Sequence, residues 1–113
     1  AAAISDFAPE CISGKIPSGK PATIHLRPLP KLLDLTLGAI PVTVAFKLGQ
    51  SAHEEAEQLL LKGVTMVCAN KPENLGSDDA QYTILDSFGQ KSIAGSKQEI
   101  ATQIYDRIIE KHL

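Results

Sequence analysis

The chain has 113 residues, 43% hydrophobic and 21% charged, with a formal net charge of −2, the balance of a soluble globular domain with one core. The near-even charge and the 4% aromatic content without Trp supply neither the basic track nor the stacking surface of a nucleic-acid binder. Cys11 and Cys68 form no metal-spaced set and suit a reducing cytoplasm, and neither a run of ~20 apolar residues nor the basic start of a signal peptide occurs, so no membrane partner is expected.

Residues 1–4 are small and apolar and read as the end of a buried strand that breaks into a polar loop at Asp6. The start of that strand would lie upstream, so 1–113 is expected to be the carboxyl-terminal part of one α/β domain, incomplete at its amino terminus. Pro, Gly, Ser and Lys mark 10–22 as a loop carrying Lys15 and Lys20. Alternation over 22–27 predicts an exposed strand stopped by Pro28 and Pro30, and Pro30 suits the start of a short helix over 31–37 closed by Gly38. The nearly continuous apolar run 42–46 predicts a central strand covered on both faces. Ser51 and Glu54 predict a capping box on a helix that ends at Lys62 and Gly63, with Ala52, Ala56, Leu59 and Leu60 along its apolar stripe. A second buried strand over 64–69 completes a right-handed, parallel β-α-β unit with Asn70 at its carboxyl end. A polar loop over 71–79, including Gly76, Ser77, Asp78 and Asp79, leads to a hairpin of 82–85 and 91–93, turned between Asp86 and Gly89. Ser96 and Glu99 predict a capping box on the last helix, whose core line is Ile100, Ile104 and Ile108.

Ligands of open α/β sheets sit beyond the carboxyl ends of the strands, which singles out a few side chains. Asp6 reads as an acceptor for sugar hydroxyls or a base, or equally as a turn former. Lys15, after Gly14, is a mobile ammonium for phosphates or an oxyanion, or an ordinary solvated loop lysine. Phe46 suits stacking on a nucleobase, although core packing is the commoner fate of a Phe in such a strand. Lys62 is also the cation that a helix C-terminus favours. His25, His53 and His112 are too scattered to suggest a dyad, and with no Walker A, G-x-G-x-x-G, G-x-S-x-G or metal-spaced Cys/His pattern, no metal ligand is assigned.

Taken in order, Ala3-Ile4-Ser5-Asp6-Phe7 with Pro9, Gly14-Lys15-Ile16, Leu29-Pro30-Lys31-Leu32-Leu33, Ala45-Phe46-Lys47-Leu48, Lys62-Gly63 before Val67-Cys68-Ala69-Asn70, Gly76-Ser77-Asp78, and Ser96-Lys97 with Glu99-Ile100 closely resemble the carboxyl-terminal half of the phosphopantothenoylcysteine synthetase family. The resemblance spans nearly the whole chain. It implies an α/β, Rossmann-like three-layer fold with a mostly parallel sheet and a C-terminal hairpin. It also implies a cytoplasmic, homodimeric ligase of coenzyme A biosynthesis. That enzyme joins 4′-phosphopantothenate to L-cysteine through an acyl-nucleotidylate, with CTP or ATP and Mg2+ as co-substrates and release of pyrophosphate.

Carried over by the same resemblance, Asp6, Lys15, Pro30, Lys31, Leu32, Leu33, Phe46 and Lys62 contact the nucleotide. Lys15 is also the catalytic residue, stabilising the acyl-phosphate transition state. Gln58 departs from the bacterial pattern, which has a lysine one helical turn before the one matching Lys62. The segments around Ser5, Pro30 and Phe46 lean toward eukaryotic and divergent members, which leaves CTP and ATP both open. The family's glycine-rich loop and intermediate-stabilising Asn belong to the amino-terminal half. The competing reading is a non-catalytic Rossmann-like module for nucleotide binding or assembly.

Overall fold

The computed structural model describes residues 4–74, 76 and 78–113, with Asn74 described by its backbone alone. The chain divides into two compact units, one up to Thr36 and one over Leu37–Leu113. Residues 1–3 of the expected first strand, and Ser77 of the polar loop, lie outside the described residues.

In the first unit, β1 (Phe7–Pro9) pairs antiparallel with β2 (Leu26–Pro28), Phe7 opposite Pro28. Asp6 immediately precedes β1, in a bend whose carbonyl accepts the Leu29 N–H at 2.8 Å. β2 forms only the end of the strand expected over 22–27, and it stops at Pro28 as the sequence predicts, Pro28 itself being tolerated as the last residue of a ribbon edge. The expected short helix forms as α1 (Leu32–Thr36), with the Thr36 hydroxyl donating back to the Leu33 carbonyl.

The second unit is built on a four-stranded sheet in the order β3 (Val44–Leu48), β4 (Met66–Asn70), β5 (Asp79–Asp86), β6 (Gly89–Ser96). Helix α2 (Ala52–Lys62) carries the chain from β3 to a parallel β4, as the β-α-β pattern predicts. The two later pairings are antiparallel, so the sheet of the described residues is mixed and not mostly parallel. The cause is chain length: the eight positions 71–78, with a 3-10 turn at Pro72–Asn74 among their described residues, are too few for the crossover that a parallel neighbour requires, and the hairpin reverses direction again. With α2 against one face and α3 (Lys97–His112) against the other, the layers are helix, sheet, helix, a Rossmann-like α/β arrangement.

Strand alternation divides the core between these faces. Met66, Cys68 and Ile84 are fully buried and join Ile93, Ile100 and Ile104 beneath α3, each such side chain stabilising by about 1.5–3 kcal/mol. Burial pushes the Cys68 thiol up to about 12, which leaves it protonated and unreactive. Strand β3 is not covered on both faces as the apolar run suggests. It pairs only with β4 among the described residues, α3 lies over β5 and β6, and Phe46 and Leu48 are exposed.

The two predicted capping boxes fare differently. At α3 the box is complete: the Ser96 hydroxyl accepts the Glu99 N–H, and the Glu99 carboxylate accepts the Ser96 N–H at 2.8 Å. That N–H, and then the Ser96 hydroxyl, hold the Glu99 carboxyl below its usual range. Gly95 makes room for it, because a Cβ there would stand 2.6 Å from a Glu99 oxygen. At α2 the box is absent. Ser51 sits at φ −95°, ψ 16°, outside the extended region that a capping side chain needs, and its hydroxyl donates to Glu55 instead. Glu55 in turn pairs with Lys47 at 2.8 Å, tying the helix to β3.

The far end of α3 is held by a buried carboxylate. Asp86, at the hairpin turn, accepts two bonds from Arg107 at 2.8 and 2.9 Å and the Phe88 N–H at 2.9 Å, with His112 Nε2 at 3.2 Å. Burial alone would raise the Asp86 carboxyl; the bonds from Arg107, His112 and the Phe88 N–H outweigh it and leave it below the usual range.

Asp86→Ala is expected to cost about 3 kcal/mol in urea denaturation, because it strands the Arg107 guanidinium without its partner. The depressed carboxyl sets the sign of the pH dependence. The clamp's contribution is complete above about pH 4, the ordinary Asp value, and is lost as pH falls through the lower folded value; acid titration of the variant should lack this component. Ser96→Ala should cost about 1 kcal/mol and Ser51→Ala stay within about 0.5, and a Ser51 loss equal to that of Ser96 would contradict the capping geometry.

Candidate functional site

The carboxyl ends of β3 and β4 open onto a cavity of about 370 Å3. Its rim is built by two loops that hydrogen-bond to each other: the Gly49 N–H donates to the Asn70 carbonyl at 3.1 Å, and the Gln50 amide donates to Glu73 at 2.9 Å. The Gln50 bond holds the Glu73 carboxyl below its usual range. His53 from the first turn of α2, with Lys71 and Gln81, completes the polar lining. Asn70 stands where the sequence places it, buried at the strand's carboxyl end. Gln50, His53, Lys71 and Gln81 carry no motif; their position just past strand ends, or across the sheet from them, is the one signal that would have found them.

A second cleft, of about 250 Å3, lies on the other face of the sheet, between Phe46 and α3. In register, Phe46 stands opposite Cys68 and so faces the α3 side, whereas its neighbour Lys47 reaches α2 through Glu55. Phe46 is 59% exposed and so is not part of the core of this unit. Lys62, exposed as the last residue of α2, belongs to the opposite layer, so within this unit the sheet separates Phe46 from Lys62. Gln58 is exposed one turn before it.

In the first unit, Asp6 is brought beside the segment Pro30, Lys31, Leu32 and Leu33, because the Leu29 N–H to Asp6 bond closes the open end of the ribbon. Pro30, Lys31 and Leu32 are exposed, and Leu33 is half-buried at the start of α1. Lys15 is exposed in the excursion between β1 and β2, at the other end of the ribbon from Asp6. Gly14 at φ 83° turns the chain there, and Ile16 next to it lines a cleft of about 240 Å3 with Pro9, Ile12 and His25. The structure therefore ties Asp6 to Leu29, the residue before Pro30, and leaves Lys15 exposed on a separate segment.

His112, given no weight as a catalytic group, proves to be structural: it packs edge-on against Phe88 and reaches Asp86. Among the described residues, no three His, Cys, Asp or Glu side chains cluster as a metal cage.

The comparisons with known proteins agree with the motif series. The family model of the DNA/pantothenate metabolism flavoprotein C-terminal domain matches residues 1–112. The coenzyme A biosynthesis bifunctional protein CoaBC of Thermococcus kodakarensis is 30% identical over 96% of this chain and 29% of its own length. The protein of the same name from Methanocaldococcus jannaschii is 28% identical over 95% of this chain and 29% of its own. The chain thus spans under a third of these curated relatives. A solved structure, the DNA/pantothenate metabolism flavoprotein from Streptococcus pneumoniae, shares the fold at a TM-score of 0.73 and 21% identity, over 87% of this chain and 46% of that one. With a match running over residues 1–112, the chain belongs to the family of the DNA/pantothenate metabolism flavoprotein C-terminal domain, in keeping with the synthetase resemblance of its motifs.

Proposed function

We propose that this chain is the carboxyl-terminal half of a ligase of coenzyme A biosynthesis that joins 4′-phosphopantothenate to L-cysteine at the expense of CTP or ATP. The observation that carries the reading is the family match over residues 1–112, supported by the similarity to two CoaBC proteins. In the first step a carboxylate oxygen attacks the α-phosphorus, forming a P–O bond and releasing pyrophosphate. The cysteine amine then attacks the acyl carbon; a C–N bond forms, the C–O bond to the nucleotide breaks, and the amine gives up a proton.

Both steps build negative charge on oxygens, and Lys15 is the ammonium assigned to it. A loop rich in Gly, Pro and Ser costs little to rearrange and can bring such a charge to a bound triphosphate. Asp6, beside Pro30 and Lys31, suits hydrogen bonding to ribose hydroxyls, with the backbone of 30–33 alongside. Magnesium enters with the triphosphate, which supplies most of its ligands, so a three-ligand protein cage is not needed. The opposed placement of Phe46 and Lys62 favours a homodimer: one nucleotide touching both would draw them from two copies.

The full-length protein, given Mg2+, CTP or ATP and both substrates, is expected to release pyrophosphate in step with amide formation; no release with either nucleotide would refute the ligase. Lys15→Gln should lower kcat by about two to three orders of magnitude, as loss of other oxyanion stabilisers does, with an unchanged melting temperature. Near wild-type turnover in that variant would make Lys15 an ordinary solvated lysine.

A further inference from the structure

The cleft at the carboxyl ends of β3 and β4 lies wholly within the second unit and holds none of the residues that the resemblance assigns to the nucleotide. Its floor is made of small side chains: Ala52 of α2 and Ala69 of β4 are buried, and Thr83 stands opposite Ala69 on β5. Helix and sheet meet there through alanines, so a hollow of about 370 Å3 stays open, enough for a small molecule with a few waters. Its rim carries charges of both signs. Lys71 is the one Lys or Arg of the lining, and Glu73 is tied to the lining by Gln50 at 2.9 Å. Chiefly the Gln50 bond, and least the Lys71 charge, hold the Glu73 carboxyl down, so the two charges share one rim. On the α2 side, His53 Nε2 lies 3.7 Å from Glu57, which adds a second acid.

Such a rim selects against multiply charged anions. A phosphate group would meet one ammonium and two carboxylates, whereas a small zwitterion offers its carboxylate to Lys71 and its ammonium to Glu73, and leaves a short side chain for the alanine floor. Of the three reactants of the proposed ligase, two carry phosphate; the third is an α-amino acid with a one-carbon side chain. We infer that this cleft is an α-amino-acid site that seats L-cysteine, with Lys71 on its carboxylate, Glu73 and Gln50 beside its ammonium, and Ala52, Ala69 and Thr83 around its thiol end. The assignment rests on the ligase reading and deepens it, because it puts the choice of amino acid on Lys71, Glu73 and Thr83, none of which belongs to the motif series.

Cysteamine, which keeps the amine and the thiol of L-cysteine and lacks the carboxylate, is the probe. In the full-length protein with Mg2+, 4′-phosphopantothenate and whichever of CTP and ATP it uses, kcat/KM should be roughly ten- to hundredfold higher for L-cysteine than for cysteamine, the range of a hydrogen bond to a charged group. Lys71 is exposed, and Lys71→Met keeps its stem. That variant should raise KM for L-cysteine, leave KM for cysteamine and the melting temperature level, and so erase most of the preference; a general loss of structure would weaken both amines alike. Exchange of labelled pyrophosphate into the triphosphate, run with 4′-phosphopantothenate and no amine, reads the first step by itself. No exchange with either nucleotide sinks the ligase reading and the cysteine assignment with it. Where exchange proceeds, a wild type that uses both amines equally, or a preference for L-cysteine that survives in Lys71→Met, overturns the amino-acid site alone and leaves the ligase reading standing.

Discussion

Everything in the second unit depends on the complete burial of β4. All five of its residues, Met66 to Asn70, are buried, so the strand needs a partner on each edge and a layer on each face. β3 and β5 supply the edges, α2 and α3 the faces. Because its neighbours run in opposite directions, one side of β4 is a Rossmann-like β-α-β unit and the other a meander. At the carboxyl end of the strand, Asn70 holds the β3–α2 loop through its carbonyl and lines the cleft there.

The helices are secured by different means. α3 is tied at both ends, by the Ser96–Glu99 box and by the Asp86 clamp, whose two guanidinium bonds lie in surroundings where a lone carboxylate would be costly. α2 has an open amino end and a closed carboxyl end, where Gly63 in the left-handed region donates to the Leu59 and Leu60 carbonyls. Its first turn is anchored by the Lys47–Glu55 pair, a contact to the sheet and not a cap. The less constrained end of α2 is the one that faces the cleft, with His53 of its first turn in the lining.

The first unit follows another logic. A two-stranded ribbon cannot bury much of its own surface, and Phe7, Ile12, Ile16, Ile24 and Leu26 remain exposed on it. The short ladder and its closing Leu29–Asp6 bond organise one end, from which the chain leads through Pro30 into α1. Lys15, exposed in the excursion between β1 and β2, is held by neither.

The helices, the β-α-β unit, the hairpin turn and the last capping box were legible in the sequence because each rests on local chemistry: a 3.6-residue stripe, a Gly at a helix end, Ser and Glu three apart. The ordered motifs that resemble the synthetase family were legible for the same reason, as strings of neighbours. The tertiary structure decided what local chemistry cannot specify. Ser51 carried the capping pattern, yet backbone angles set by the β3 turn sent its hydroxyl to Glu55. The run 42–46 had the composition of a covered strand, and which strands and helices pack beside it is a property of the whole sheet, so only the fold exposes Phe46 and opens the cleft against α3. Asp86 lies more than twenty residues from both Arg107 and His112 and carried no signal at all, because a buried ion pair is specified by the distance between two elements in space and not by their spacing along the chain.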